Sequence, residues 1–136
     1  MKLKTLIWLG TGGALGALAR HYTGNYLSSL IETDFPIATL MINWAGCLFL
    51  GYFLTVVPLH YKLSPNLGLA VGTGFTGAFT TFSTFSLENI RLLQHGQPLE
   101  MAAYILLSVC GGLLLAWGGI RAGYYSGLRQ PGRSEG

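Results

Sequence analysis

Four runs almost free of charge, each long enough to cross a bilayer, occupy nearly all of this 136-residue chain. They cover about residues 5–30, 35–59, 65–93 and 99–123. A hydrocarbon core takes roughly 20 apolar residues of helix, so each run suffices for one crossing. Arg20 and His21 are the only charged or histidine side chains in the first run. The second has none before His60, the third none before Glu88, and the fourth none between Glu100 and Arg121. Charged residues make up 10% of the chain, against about 25% in soluble domains. The pattern predicts an all-α membrane protein of four transmembrane helices with no soluble domain and no internal repeat.

The connections are short and polar. Pro36 suits the first turn of a helix, Ser64 is a fit N-cap before Pro65, and Gly96 marks a helix stop. Residues 1–126 read as one transmembrane domain, and 127–136 as a polar tail expected to be disordered. Lys2 and Lys4 before an apolar run resemble the start of a signal peptide. The run continues through Gly16 to Arg20 with no small-residue cleavage pattern, so it reads as a retained first span. The formal charge of +3 sits at the chain's basic ends, which argues against a nucleic-acid surface. Cys47 and Cys110 lie in apolar runs without metal or redox spacing, and read as small buried hydrophobes.

The third run departs from an ordinary lipid-facing helix. Gly68, Gly72, Gly74 and Gly77 fall within ten residues, and each costs a helix roughly 1 kcal/mol relative to Ala. Thr76, Thr80, Thr81, Ser83, Thr84 and Ser86 interleave or follow. A helix interrupted near its middle, resuming with a patterned polar face, is expected. Small residues also recur at helical spacing: Gly12, Gly16 and Ala19, then Gly46 and Gly51, then Gly111, Gly112, Gly118 and Gly119. These favour close helix packing and an oligomer. With the amino end inside, Lys2, Lys4, Lys62, Arg121, Arg129 and Arg133 lie on the inner side, and Arg20 and Arg91 on the outer. The positive-inside rule favours that placement. Without Arg121, Arg129 and Arg133, at or near the tail, the balance is three against two.

Candidate functional residues follow from polar groups at membrane depth. Arg20, near the far end of the first span, either snorkels to the headgroups or stands as a fixed positive charge at an aqueous mouth. Asn43, one turn after Thr39, makes either a helix–helix hydrogen bond or a donor at a vestibule floor. Phe82 and Phe85, three apart, share a helical face. They are either core packing or rings that present a positive edge to a small anion. Thr80, Ser83 and Thr84 accompany them, and Tyr104 and Ser108 add hydroxyls four residues apart on the last span. The role of Glu88 stays open. No paired carboxylates, Ser/His/Asp group or metal-ligand cluster points to an enzyme. A small multidrug-type cation exporter needs a membrane-embedded acid, which the first, second and fourth spans lack in their interiors.

Three stretches together resemble the CrcB/Fluc fluoride channels, and the likeness spans everything but the tail. They are Gly12-Gly13-Ala14-Leu15-Gly16-Ala17-Leu18-Ala19-Arg20, Thr39-Leu40-Met41-Ile42-Asn43-Trp44-Ala45-Gly46, and Gly74-Phe75-Thr76-Gly77-Ala78-Phe79-Thr80-Thr81-Phe82-Ser83-Thr84-Phe85. The resemblance implies an antiparallel dual-topology homodimer in the cell's inner (plasma) membrane. It implies two pores that export fluoride passively and selectively. Phe82 and Phe85 then resemble the aromatic box, Asn43 the vestibule donor, and Arg20 the vestibule arginine. Ser83, Thr84, Tyr104 and Ser108 resemble the polar track. Gly77 and Thr80 resemble the pair whose carbonyls hold a structural Na+ at the dimer centre. The alternatives are a small dual-topology exporter of another substrate and a structural or assembly subunit.

Overall fold

The computed structural model describes residues 2–31, 33–60 and 63–128, and within these it is all helix and loop. Helix α1 spans Leu3–Leu30, α2 Ile37–His60 and α3 Pro65–Leu69. The chain then widens into a π-helical stretch, Ala70–Phe75, and returns to α-helix as α4, Thr76–Phe79. Helix α5 follows over Phe82–Gln94 and α6 over Pro98–Leu128. The expected tail therefore begins with two helical residues, Gly127 and Leu128. Residues 129–136 lie outside the described residues, as do Glu32, Tyr61 and Lys62.

Local chemistry explains the boundaries. Ser64 caps α3, its hydroxyl accepting from the Leu67 N–H at 3.4 Å with Pro65 in the first turn. Gly96 ends α5 with φ +74°, and the Gln97 N–H reaches back to the Leu92 carbonyl at 2.9 Å. That left-handed step is the Gly-terminated helix end. Helices α2 and α6 hold stretches long and apolar enough to cross a membrane, Ile37–Leu59 and Pro98–Ser126. The first and third expected spans fall short of that test for different reasons. Glycine and polar residues dilute the hydropathy of α1, and the third run is divided among several short elements.

Glycines mark the crossings. An added Cβ at Gly12 or Gly16 would overlap the carbonyls of Ala70 or Phe75, so α1 rests directly on the π-helical backbone. Gly51 and Gly119 play the same part between α2 and α6, facing the carbonyls of Ala116 and Leu48. These four glycines give the close helix packing that the small-residue spacing predicts, here between helices of one chain. The core is Leu40, Leu92 and the fully buried Tyr104, with Phe35, Trp44, Phe85 and Met101 against it. Large apolar side chains such as Leu106, Leu113 and Leu114 lie exposed along α6. In water that surface would be a liability; for membrane helices it faces lipid or a partner. Cys47 is half-buried, but Cys110 is exposed on this apolar face, correcting the expectation that both are buried.

Candidate functional site

The site begins where the third run leaves helical geometry. Thr80 (φ −76°, ψ 161°) and Thr81 (φ −148°, ψ 124°) are both extended. Such backbone cannot stay unpaired at membrane depth, and side chains supply its partners. The Asn43 amide donates to the Thr81 carbonyl at 3.1 Å, while the Thr81 N–H donates to the Asn43 Oδ1 at 2.9 Å. One amide thus satisfies both main-chain groups of one residue. Thr81 also caps α5: its Oγ1 accepts from the Thr84 N–H at 3.2 Å and donates to the Thr84 Oγ1 at 2.9 Å. The Ser83 hydroxyl lies 3.3 Å from the same oxygen. The Thr80 hydroxyl turns back to the Thr76 carbonyl at 2.9 Å, and an added Cβ at Gly46 would overlap the Thr80 methyl. Asn43 and Gly46, three residues apart on α2, therefore seat the extended pair together.

Beyond the cap, Phe82 and Phe85 sit on one face of α5, ring centroids 5.8 Å apart. Their surroundings differ. Phe82 is 79% exposed, whereas the Phe85 ring lies 5.0 Å from that of Tyr104. One turn further on, Glu88 joins three elements. Its Oε1 accepts from the Thr39 hydroxyl and its Oε2 from the Tyr104 hydroxyl, both at 2.8 Å. Sequence reading left Glu88 unassigned because its partners lie on α2 and α6. Spacing does reveal the two ladders that meet here, Thr39 with Asn43 on α2 and Thr84 with Glu88 on α5. Ser108 continues the Tyr104 row, its Oγ buried with no partner among the described residues.

A cavity of about 690 Å³ opens between the carboxyl half of α1, residues 33–39 and α5, and its lining includes Arg20, Thr39, Thr81, Thr84 and Glu88. Arg20 and Thr84 thus face one space. Asn43, Ser83, Phe82, Phe85, Tyr104 and Ser108 lie outside its lining. Gly77, on α4, is exposed, and a Cβ there would meet nothing within 4 Å. Because the Thr81 N–H bonds to Asn43, the Gly77 carbonyl lacks its usual donor four residues on.

Apolar helices of membrane-crossing length, an exposed apolar flank and side-chain hydrogen bonds that join α2, α5 and α6 fit a helical membrane protein. Within that class the chain belongs to the CrcB family: the family described as "CrcB-like protein, Camphor Resistance (CrcB)" matches residues 7–120. Its relatives include the fluoride-specific ion channel FluC of Acidobacterium capsulatum, 45% identical over 117 residues, covering 86% of this chain and 94% of the relative. The protein of that name from Flavobacterium psychrophilum is 42% identical over 118 residues, covering 87% and 95%. That from Nautilia profundicola is 37% identical over 121 residues, covering 89% and 94%. The family is one of channels, not of enzymes.

Proposed function

We propose that this protein is a fluoride-selective channel of the inner (plasma) membrane, passing fluoride outward down its gradient and so lowering cytoplasmic fluoride. The observation that carries the reading is the start of α5, where the Asn43 clamp on Thr81 sets the Phe82–Phe85 pair beside hydroxyls and a cavity bearing Arg20. Desolvating a carboxylate-sized ion costs on the order of 20 kcal/mol by an idealised Born estimate, and fluoride is smaller. Hydroxyl donors and ring edges must replace its water. Arg20 draws the anion into the cavity. Thr84, Ser83, Tyr104 and Ser108 supply the hydroxyl row, and Phe82 and Phe85 the ring edges. Asn43 acts chiefly by holding the extended backbone that aims them.

The working unit in this reading is an antiparallel dual-topology homodimer with two pores. The exposure of Phe82 supports it, because a ring bare in one subunit is available to a second. A structural Na+ at the dimer centre would take the carbonyls of Gly77 and Thr80. The donor set fits: Gly77 offers a carbonyl without its helical donor and no side chain in the way. Two such sites facing each other across a two-fold axis would let one cation satisfy oxygens from both chains.

Glu88 bears on the exporter alternative, since a proton-coupled exporter needs a membrane acid. Liposomes containing the purified protein decide between them. With a potassium gradient and valinomycin, fluoride efflux is expected to be fast, chloride efflux negligible, and neither to need a proton gradient. Fluoride movement that is absent or proton-coupled would sink the channel reading.

A further inference from the structure

The cavity at the far end of α1 carries more basic groups than one monatomic anion can use. Arg20 and His21 enter its lining from α1, Arg91 from α5 and His95 from the residue that caps it. The His95 N–H donates to the Arg91 carbonyl at 2.9 Å, so the two stand one turn apart. On the other wall, the His21 Nε2 lies 3.2 Å from the Asn25 Nδ2. With the amide donating, the ring proton sits on Nδ1 and is free to bond elsewhere. Among the described residues, the acidic members of the lining are Asp34 and Glu88. Asp34 is exposed on the loop before α2. Both Glu88 oxygens accept hydrogen bonds, from Thr39 and Tyr104.

Size points the same way as charge. The volume of about 690 Å³ falls within the range of small-ligand pockets, roughly 300–1,000 Å³, far beyond a single halide. A guanidinium offers its N–H groups as a fork that matches two oxygens of one anion, a match that a spherical ion cannot exploit. We propose that this cavity is a binding site for a polyatomic oxyanion of the sulfate or phosphate class. The anion is held between Arg20 and His21 on one wall and Arg91 and His95 on the other, and while bound it obstructs the entry of smaller anions. The obstruction rests on the channel reading above; the binding does not.

Sulfate is the probe, because its charge is constant near neutral pH. Equilibrium dialysis of the purified protein against labelled sulfate, at ionic strength matched with chloride, reads the site without any flux. Saturable binding is expected, weakened about tenfold or more in Arg91→Gln/His95→Gln. That variant's size-exclusion profile checks that it is folded. Reconstituted in phosphatidylcholine, the protein should then pass fluoride more slowly as sulfate is added, with half-inhibition near the dialysis midpoint. Binding that weakens when phosphatidylglycerol replaces phosphatidylcholine identifies a lipid phosphate as the occupant; binding indifferent to the exchange identifies a free oxyanion. No saturable binding, or equal binding in the double variant, overturns the site. Binding that leaves an active fluoride flux untouched overturns the obstruction. A protein that moves no fluoride even without sulfate fails the channel reading alone.

Discussion

Phe82 and Phe85 share a face but not an environment, and the difference lets a role in the proposed path be tested apart from packing. Only Phe85 rests on Tyr104; Phe82 is almost bare. Isoleucine keeps much of the bulk and removes the partially positive ring edge. Each Phe→Ile variant is therefore expected to lose most fluoride flux in liposomes. Thermal unfolding should show the larger loss for Phe85→Ile, which gives up its pairs with both Phe82 and Tyr104, on the order of 0.5–1.5 kcal/mol for each aromatic pair. Unchanged flux in both variants removes the rings from the path. Tyr104→Phe keeps the ring contacts with Phe35 and Phe85 but leaves the Glu88 Oε2 without its donor. A buried acceptor so stranded costs about 1–3 kcal/mol, and flux should fall with stability. The rings and hydroxyls were legible from spacing alone. The partners of Glu88 were not, because they lie 49 and 16 residues away, and only folding shows which side chains from three helices meet.

At the scale of elements, the third run shows how glycine content misleads about where a helix opens. The glycines of the third run, Gly68 to Gly77, all lie in wound backbone, as α3, π-helix and then α4. Gly74 serves a crossing: a Cβ there would come within 2.7 Å of the Leu9 carbonyl. The departure from helical angles falls on two threonines, Thr80 and Thr81, which carry their own capping oxygens. Thr81 with Thr84 three residues on is a readable N-cap pattern. The other half of the device is Asn43, 38 residues earlier, and no local pattern links the two. Asn43→Ala strands both main-chain groups of Thr81, at about 1–3 kcal/mol each. Asn43→Asp restores an acceptor for the Thr81 N–H but sets a carboxylate oxygen against the Thr81 carbonyl. Both variants are expected to unfold at lower temperature in detergent. A stable Asn43→Asp would show that the bond to the Thr81 carbonyl contributes little.

At the scale of the molecule, the four-run pattern gave the helical class directly, but not the oligomer. Gly77→Ala tests the second copy. Within one chain the new methyl meets nothing, and alanine favours helix over glycine by roughly 1 kcal/mol, so a lone subunit should tolerate it. If Gly77 lies at a two-fold axis, the same methyl should weaken dimerisation in lipid, read by subunit-exchange fluorescence, and should alter the sodium dependence of flux. Normal dimerisation and sodium dependence would refute the central cation site. A different consequence follows from the lengths of the two apolar helices. The stretch within α2 is 23 residues and that within α6 is 29, about 35 and 43 Å at 1.5 Å per residue. Within α6, however, the charge-free run between Glu100 and Arg121 is only about 30 Å of helix. A hydrocarbon core of about 30 Å just fits between those two side chains; a thicker one would draw them in, and a thinner one would tilt the helix. Lipid chain length thereby becomes a mechanical input to the wall that carries Tyr104 and Ser108. In phosphatidylcholines of increasing acyl length the thermal midpoint is expected to rise as the bilayer nears the charge-free length of α6; a midpoint indifferent to chain length would show that the bundle absorbs the mismatch internally.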